Sequence, residues 1–269
     1  MRRSLTLGLA LSLLALVFLA GCSKLRARDE LNKGVRAYKA GEFETAVEHF
    51  QRAIQLDPSL INARLYLARA YTDQFVPGSP SDENKKRGEA AVRWFENVLE
   101  IDPQNVIALS SIASLYYGMA RAESDWEKAR GLFEKSKELR RRVIEVEPEN
   151  PEHYYWIGAI DWGIAYRPRN ELRTSLKLRP DQPLPRRQRR QLAEQNSEVV
   201  DEGIQALEKA LEINPKYVDA MTYLNLLYRE KADIVDSPKE REHFLQLADQ
   251  WYERQKRLRE QIQEAPAAS

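Results

Sequence analysis

Apolar side chains recur along this chain at spacings of three and four, the period of an α-helix, and nowhere alternate as they would in a strand. The periodic segments are closed by a signature that returns four times: Leu56-Asp57-Pro58, Ile101-Asp102-Pro103, Val146-Glu147-Pro148 and Ile213-Asn214-Pro215. Proline lacks an amide donor and biases the residue before it away from the helical region, so each signature ends a helix. All thirteen prolines fall where a helix should begin or end, and none is expected inside one. The pattern predicts an all-α chain of helical hairpins.

In the first hairpin Gly34, Ala37, Ala46 and Ala53 alternate with Tyr38, Phe43 and Phe50 about a tight turn at Gly41-Glu42-Phe43. Small residues let two helices cross closely and large ones fill the layer between them. This arrangement resembles the tetratricopeptide repeat, whose unit is about 34 residues long. The resemblance implies a right-handed superhelical solenoid of about five hairpins over residues 29–264, with units near 29–60, 61–105, 106–150, 151–217 and 218–264. The four proline stops lie 45, 45 and 67 residues apart, so the later units carry extra residues. The largest surplus, 33 residues between Asp161 and Gly203, is expected to form the turn of the fourth unit and to lead into a helix from about Pro185 to Ile213. A coiled coil is excluded, because the apolar repeats break at every proline stop.

The first residues read differently. Arg2 and Arg3 precede an apolar run, Leu5 to Leu19, that is short for a bilayer span and ends in Leu19-Ala20-Gly21-Cys22. That tetrad resembles the bacterial lipobox, which implies a signal peptide over 1–21, acylation of Cys22, a tether over 22–28 and export to the cell envelope. Ser23 implies the periplasmic face of the outer membrane where the host has one. Cys22 is the single cysteine, so no intrachain disulfide can form. Residues 265–269 read as a disordered tail.

The 42 Lys and Arg nearly balance 41 Asp and Glu, so no global field attracts nucleic acid, and none is expected as a partner. His49, His153 and His243 fall in different units, without a second ligand at metal-site spacing. No nucleophile elbow, Walker loop or dinucleotide fingerprint is present, so neither an enzyme nor a metal or cofactor is expected.

The resemblance implies instead that the first helices of the hairpins line a groove for a protein or peptide segment. In this sequence the lining is Tyr38, Leu65, Arg69, Ile107, Ser114, Tyr117, Tyr155, Trp162, Leu226 and Arg229. Asp161 stands where the repeat normally places a large apolar residue, and a buried carboxylate needs a partner. The arginine-rich insert supplies candidates, Arg167 and Arg169 first, which would pin the insert beside the groove. The remaining arginines, to Arg190, read as a solvated surface balanced by Glu194, Glu198, Asp201 and Glu202; an anionic ligand is the alternative.

The expected function is that of a lipid-anchored tetratricopeptide scaffold of the envelope, attached to the membrane through Cys22. The alternatives are a homo-oligomeric structural subunit, associating through Lys239 to Glu264, and an envelope enzyme with an unrecognised site.

Overall fold

The computed structural model describes residues 23–179 and 182–264. The expected signal peptide, Cys22 and the tail 265–269 lie outside the described residues. Ten helices and no strand occur among those described: α1 (23–39), α2 (Phe43–Leu56), α3 (Ile61–Gln74), α4 (Asp82–Ile101), α5 (Val106–Ala122), α6 (Trp126–Val146), α7 (Pro151–Ser175), α8 (Arg186–Ile213), α9 (Val218–Ile234) and α10 (Pro238–Glu264). The all-α expectation holds. Residues 23–28, read as tether, already belong to α1, because Ala27 is fully buried there.

The four proline stops share one geometry. Asp57, Asp102, Glu147 and Asn214 have φ between −141° and −127° and ψ between 66° and 93°, outside the helical region that a following proline disfavours. Each still donates its N–H to the carbonyl four residues back, on the fully buried Ala53, Val98, Val143 and Ala210. Each then accepts, on its own carbonyl, the N–H three residues ahead: Leu60, Asn105, Asn150 and Tyr217. The helix starts are also written in side chains. Ser81, Asp125 and Asn150 accept backbone N–H bonds from Asn84, Lys128 and Glu152, and Ser237 does so from Glu240.

The described residues divide within α5 into two compact units, one ending at Leu115 and the other beginning at Tyr116. In the first, α1 to α4 enclose a core of Ala37, Ala46, Phe50, Leu67 and Ala70, with Tyr66 stacked on Phe50 at 5.6 Å. A Cβ on Gly34 would stand 2.5 Å from the Phe50 ring, so the α1–α2 crossing requires glycine. The tight turn between these helices is made by Gly41 at φ 78°.

In the second unit α7 packs on α6, α8 and α9, and α9 packs on α10. Its core centres on Val200, Leu207, Met221, Leu224 and Leu227. Gly158 meets the Leu207 branch point and Gly203 meets Leu227 and Asp161; a Cβ on Gly158 would lie 2.3 Å from Leu207 Cγ.

Two expectations fail in this unit. Pro168 lies inside α7, not at a helix end. It removes the N–H that would bond the Ile164 carbonyl, but packing carries the helix through: Ile164 and Ala165 are buried before it and Arg173 after it. Asn196 of α8 donates to the adjacent Ala165 carbonyl at 3.3 Å, supplying a polar contact at the interruption. The second correction follows from the first. Most of the surplus in the fourth hairpin is helix, since α7 runs 25 residues and α8 runs 28, and the connecting segment is confined to 176–185. Its buried Leu184 packs into the core.

Candidate functional site: an aromatic row on three helices

The groove residues expected from the sequence fall in both units. In the first, the Tyr38 hydroxyl bonds the Asp73 carboxylate, and the Tyr38 ring lies against Phe43 and Tyr66 at 5.7 and 6.1 Å. Leu65 is half-buried and Arg69 exposed, while Ile107 is 60% exposed and Ser114 turns its hydroxyl onto the Ser110 carbonyl at 2.9 Å.

The second unit brings its residues together. Tyr117 near the end of α5 meets Trp156 of α7 at 5.4 Å, edge to face. Trp156 meets Tyr155 at 5.3 Å, and Tyr155 meets Tyr217 and Tyr223 at 5.2 and 5.5 Å. Tyr223 of α9 returns to Trp162 at 5.5 Å, and Trp162 stacks on Tyr166 at 4.8 Å. Seven rings from three helices and one helix cap thus form an unbroken row, each contact worth about 0.5–1.5 kcal/mol beyond burial. Phe133 of α6 supports Tyr117 from below at 5.8 Å.

Tyr117, Tyr155 and Trp162, expected to line a groove, lie in this row; Trp156, Tyr166, Tyr217 and Tyr223 were not among the expected lining residues. Leu226 is half-buried, and Arg229 is drawn away from the row by Asp249 of α10, 2.7 Å from its guanidinium.

Three hydroxyls of the row, on Tyr117, Tyr155 and Tyr217, are held uncharged. Burial, together with the neighbouring Tyr223, pushes Tyr117 up to about 12 and Tyr155 higher still. Burial and the nearby Glu152 do the same to Tyr217, to about 12. These groups donate and accept hydrogen bonds and do not act as nucleophiles. Arginines flank the row: Arg121 lies over Tyr117 at 5.8 Å, the buried Arg140 over Trp156 at 4.9 Å and Arg169 over Tyr166 at 5.5 Å. Glu152 accepts from the Trp156 indole at 3.2 Å.

Behind the row sit two buried ion networks. Asp161 is fully buried, and its partner is Lys137 of α6 at 2.7 Å, not an arginine of the insert. Lys137 lies on the buried face of α6 with Phe133 and Val143, closer to Asp161 than any insert residue. It also reaches Glu202 at 3.1 Å, which Arg141 holds in turn. Burial pushes Asp161 up to about 7 against the pull of Lys137. The same burial would lower Lys137, but Asp161 and its other acidic neighbours outweigh it and hold the amine charged.

The insert arginines serve the second network. Arg169 pairs with Glu230 and Asp233 of α9 at 2.6 and 3.2 Å, and Arg173 joins Asp233 at 3.1 Å. Arg173 also donates to the Gln182 carbonyl at 2.9 Å, fastening the 176–185 segment. Arg167 bonds Glu171 and the carbonyls of Glu123 and Ser124. The insert is therefore pinned, though to α9 and to the α5–α6 connection.

His49 and His153 are each engaged by one carboxylate, Glu30 and Glu147, at 2.7 and 2.8 Å. No group of three potential metal ligands occurs among the described residues. No described helix is long and apolar enough to cross a membrane.

Comparison with known proteins places the fold. A family profile described as TPR repeat matches residues 34–74, and one described as plant specific mitochondrial import receptor subunit TOM20 matches 73–157. No curated protein matches the chain. Among solved structures, MamA residues 41 to the end from Desulfovibrio magneticus RS-1 is similar over 89% of this chain and 98% of its own, with a TM-score of 0.58 and 14% identity. A crystal structure of MamA protein covers 91% of this chain and 97% of its own, with a TM-score of 0.53 and 15% identity. At such identities the likeness is one of fold. The first hairpin thus matches a tetratricopeptide-repeat profile directly, and the chain as a whole shares the helical-hairpin fold of the MamA structures.

Proposed function

We propose that the protein is a non-catalytic scaffold that holds a polypeptide segment against the aromatic row of α5, α7 and α9. The observation that carries this reading is the row itself: seven contiguous rings, six half-buried and Tyr166 exposed, flanked by arginines. Aromatic side chains give large contact area at low entropic cost, and they dominate interfaces of this kind. An apolar segment with backbone carbonyls to offer is the matching ligand.

The lipobox-like Leu19-Ala20-Gly21-Cys22 supports a lipid anchor on Cys22 and a place in the cell envelope. An anchor would confine the row to one surface and raise the effective concentration of what it binds.

The test is site-specific photo-crosslinking in the host. A crosslinker at Tyr155 captures a polypeptide, while one at exposed Gln250 of α10 does not; equal capture at both positions sinks the reading. Alanine at Tyr117, Tyr155 and Trp162 abolishes the capture by a crosslinker at Tyr223. Incorporation of a fatty-acid analogue, lost in Cys22→Ala, tests the anchor. A second reading is self-association through α10, favoured by Tyr252 and Ile262, which are 51% and 59% exposed. Light scattering on the unacylated chain decides it.

A further inference from the structure

Between Glu171 and Glu194 the chain carries seven cations and one acid, Asp181. Arg173 is buried and bound to Asp233. The other six gather where α7 ends and α8 begins. Lys177 and Arg179 follow α7, and Arg186, Arg187, Arg189 and Arg190 occupy four of the first five positions of α8. Arg189 and Arg190 share a single carboxylate, Asp236, at 3.4 and 3.5 Å. Arg186, Arg187 and Arg190 are exposed, while Leu192, Asn196, Val199 and Val200 are buried, so these three arginines lie on the solvent face of α8.

This arrangement opposes the helix's own electrostatics. The start of a helix is the positive end of its macrodipole and favours acids, yet the first turn of α8 holds none. The acids Glu194, Glu198 and Asp201 come later, towards the end that favours cations. An unfavourable local field of one sign is relieved by an opposite charge from outside.

We propose that this basic surface docks on an anionic lipid bilayer. Protein interfaces centre on buried apolar anchors, and the patch exposes none: Leu184 is buried in the core, and Leu176 and Leu178 pack against it. What remains is charge, which suits an array of phosphates that needs no fixed register. Arginine's planar fork meets phosphate oxygens in pairs. The choice of a bilayer over nucleic acid, the other phosphate array, rests on reading the first 22 residues as an export signal. A single acyl chain binds membranes reversibly, and a polybasic patch is the kind of second contact that makes attachment stable.

The experiment uses the chain from Ser23 onward, without an acyl group. Its partition is measured onto vesicles of phosphatidylcholine alone and of phosphatidylcholine mixed with phosphatidylglycerol. Binding is expected on the mixed vesicles only and is screened by salt. The triple variant Arg186→Gln, Arg187→Gln, Arg190→Gln keeps its helicity and binds about a hundredfold more weakly, each cation near an anionic surface contributing roughly fivefold. Removing three exposed cations elsewhere, Lys85→Gln, Lys86→Gln and Arg93→Gln, leaves partition unchanged. Equal partition onto both vesicle types, or equal losses in the two triples, overturns the proposal. So does duplex DNA held by the patch while vesicles are ignored. Crosslinking at Tyr155 does not depend on the patch, so failure here leaves the scaffold reading standing.

Discussion

The two units of this chain solve the same packing problem in different ways. Among the described residues of the first unit, Asn84 is the only buried polar side chain, and it is satisfied by the backbone of Val76 and Ser79. The second unit buries Lys137, Arg140, Asp161, Arg173, Glu230 and Asp233. The difference tracks helix length. In the first unit α2 and α3 are 14 residues each, and small-against-large packing closes the crossing. In the second unit α7, α8 and α10 run 25, 28 and 27 residues, past the span that the repeat pattern packs. Charge enters the overlap there, with Asp161 met by Lys137, Glu230 by Arg169, and Asp233 by Arg169 and Arg173. A buried pair adds little net stability, but any slipped register would strand it. Regular hairpins hold by shape; overlong ones are held in register by charge.

Three measurements break or sharpen this contrast. Lys137→Met leaves Asp161 buried without its cation and is expected to destabilise the second unit by about 3–5 kcal/mol. Lys137→Met with Asp161→Leu restores most of it. Urea unfolding followed by tryptophan fluorescence reads both, and a single variant as stable as the parent would erase the distinction between the units.

Glycine substitution comes next. A Cβ at Gly158 meets the Leu207 branch point at 2.3 Å, whereas one at Gly34 meets the rim of the Phe50 ring at 2.5 Å. Gly158→Ala is expected to cost about 3 kcal/mol and Gly34→Ala less, since a ring edge yields more easily than a buried branch point. Gly131→Ala in α6, with nothing within 4 Å, stabilises by about 0.5–1 kcal/mol. The ordering, measured by thermal unfolding, is the test.

The smallest effect is the dependence on pH. Burial raises Asp161 and Glu230 to about 7, above the ordinary carboxylate range. A carboxyl raised on folding stabilises fully at low pH and loses that contribution as pH rises through its folded value. The second unit therefore gains about 2 kcal/mol as pH falls from about 8 to about 6, before the ordinary carboxylates titrate. Asp161→Asn with Glu230→Gln flattens the slope. The first unit, which buries no carboxylate among its described residues, should lack it; a shared slope would count against the contrast.

Much of the fold was legible because its signals are local. Proline, the extended residue before it and the small residues at Gly34, Gly158 and Gly203 act within a turn or at one crossing. What escaped depends on neighbours distant in sequence. Pro168 is tolerated inside α7 because the α7–α8 packing surrounds it. Lys137 looked like an ordinary charged residue until α6 and α7 put it beside Asp161. The row shows both cases. Tyr117, Tyr155 and Trp162 follow from counting along first helices, but Tyr217 is a helix cap, and Tyr223 joins only because α9 lies beside α7. The one available signal was density: Tyr154-Tyr155-Trp156 gathers three rings where any one would fill a layer.

The shared geometry of the four proline stops has a consequence for how such a chain can change. Each stop behaves as a joint of one backbone geometry, set by a bond back to the carbonyl of one buried residue and a bond accepted from three residues ahead, and indifferent to the length of the arm before it. Growth is diverted to the far end of each arm, where the chain reverses, and the 176–185 reversal shows how much can be added there while the joint at Asn214 stays as it is at Asp57. New surface can thus be grafted at the tips without redirecting the helix that follows.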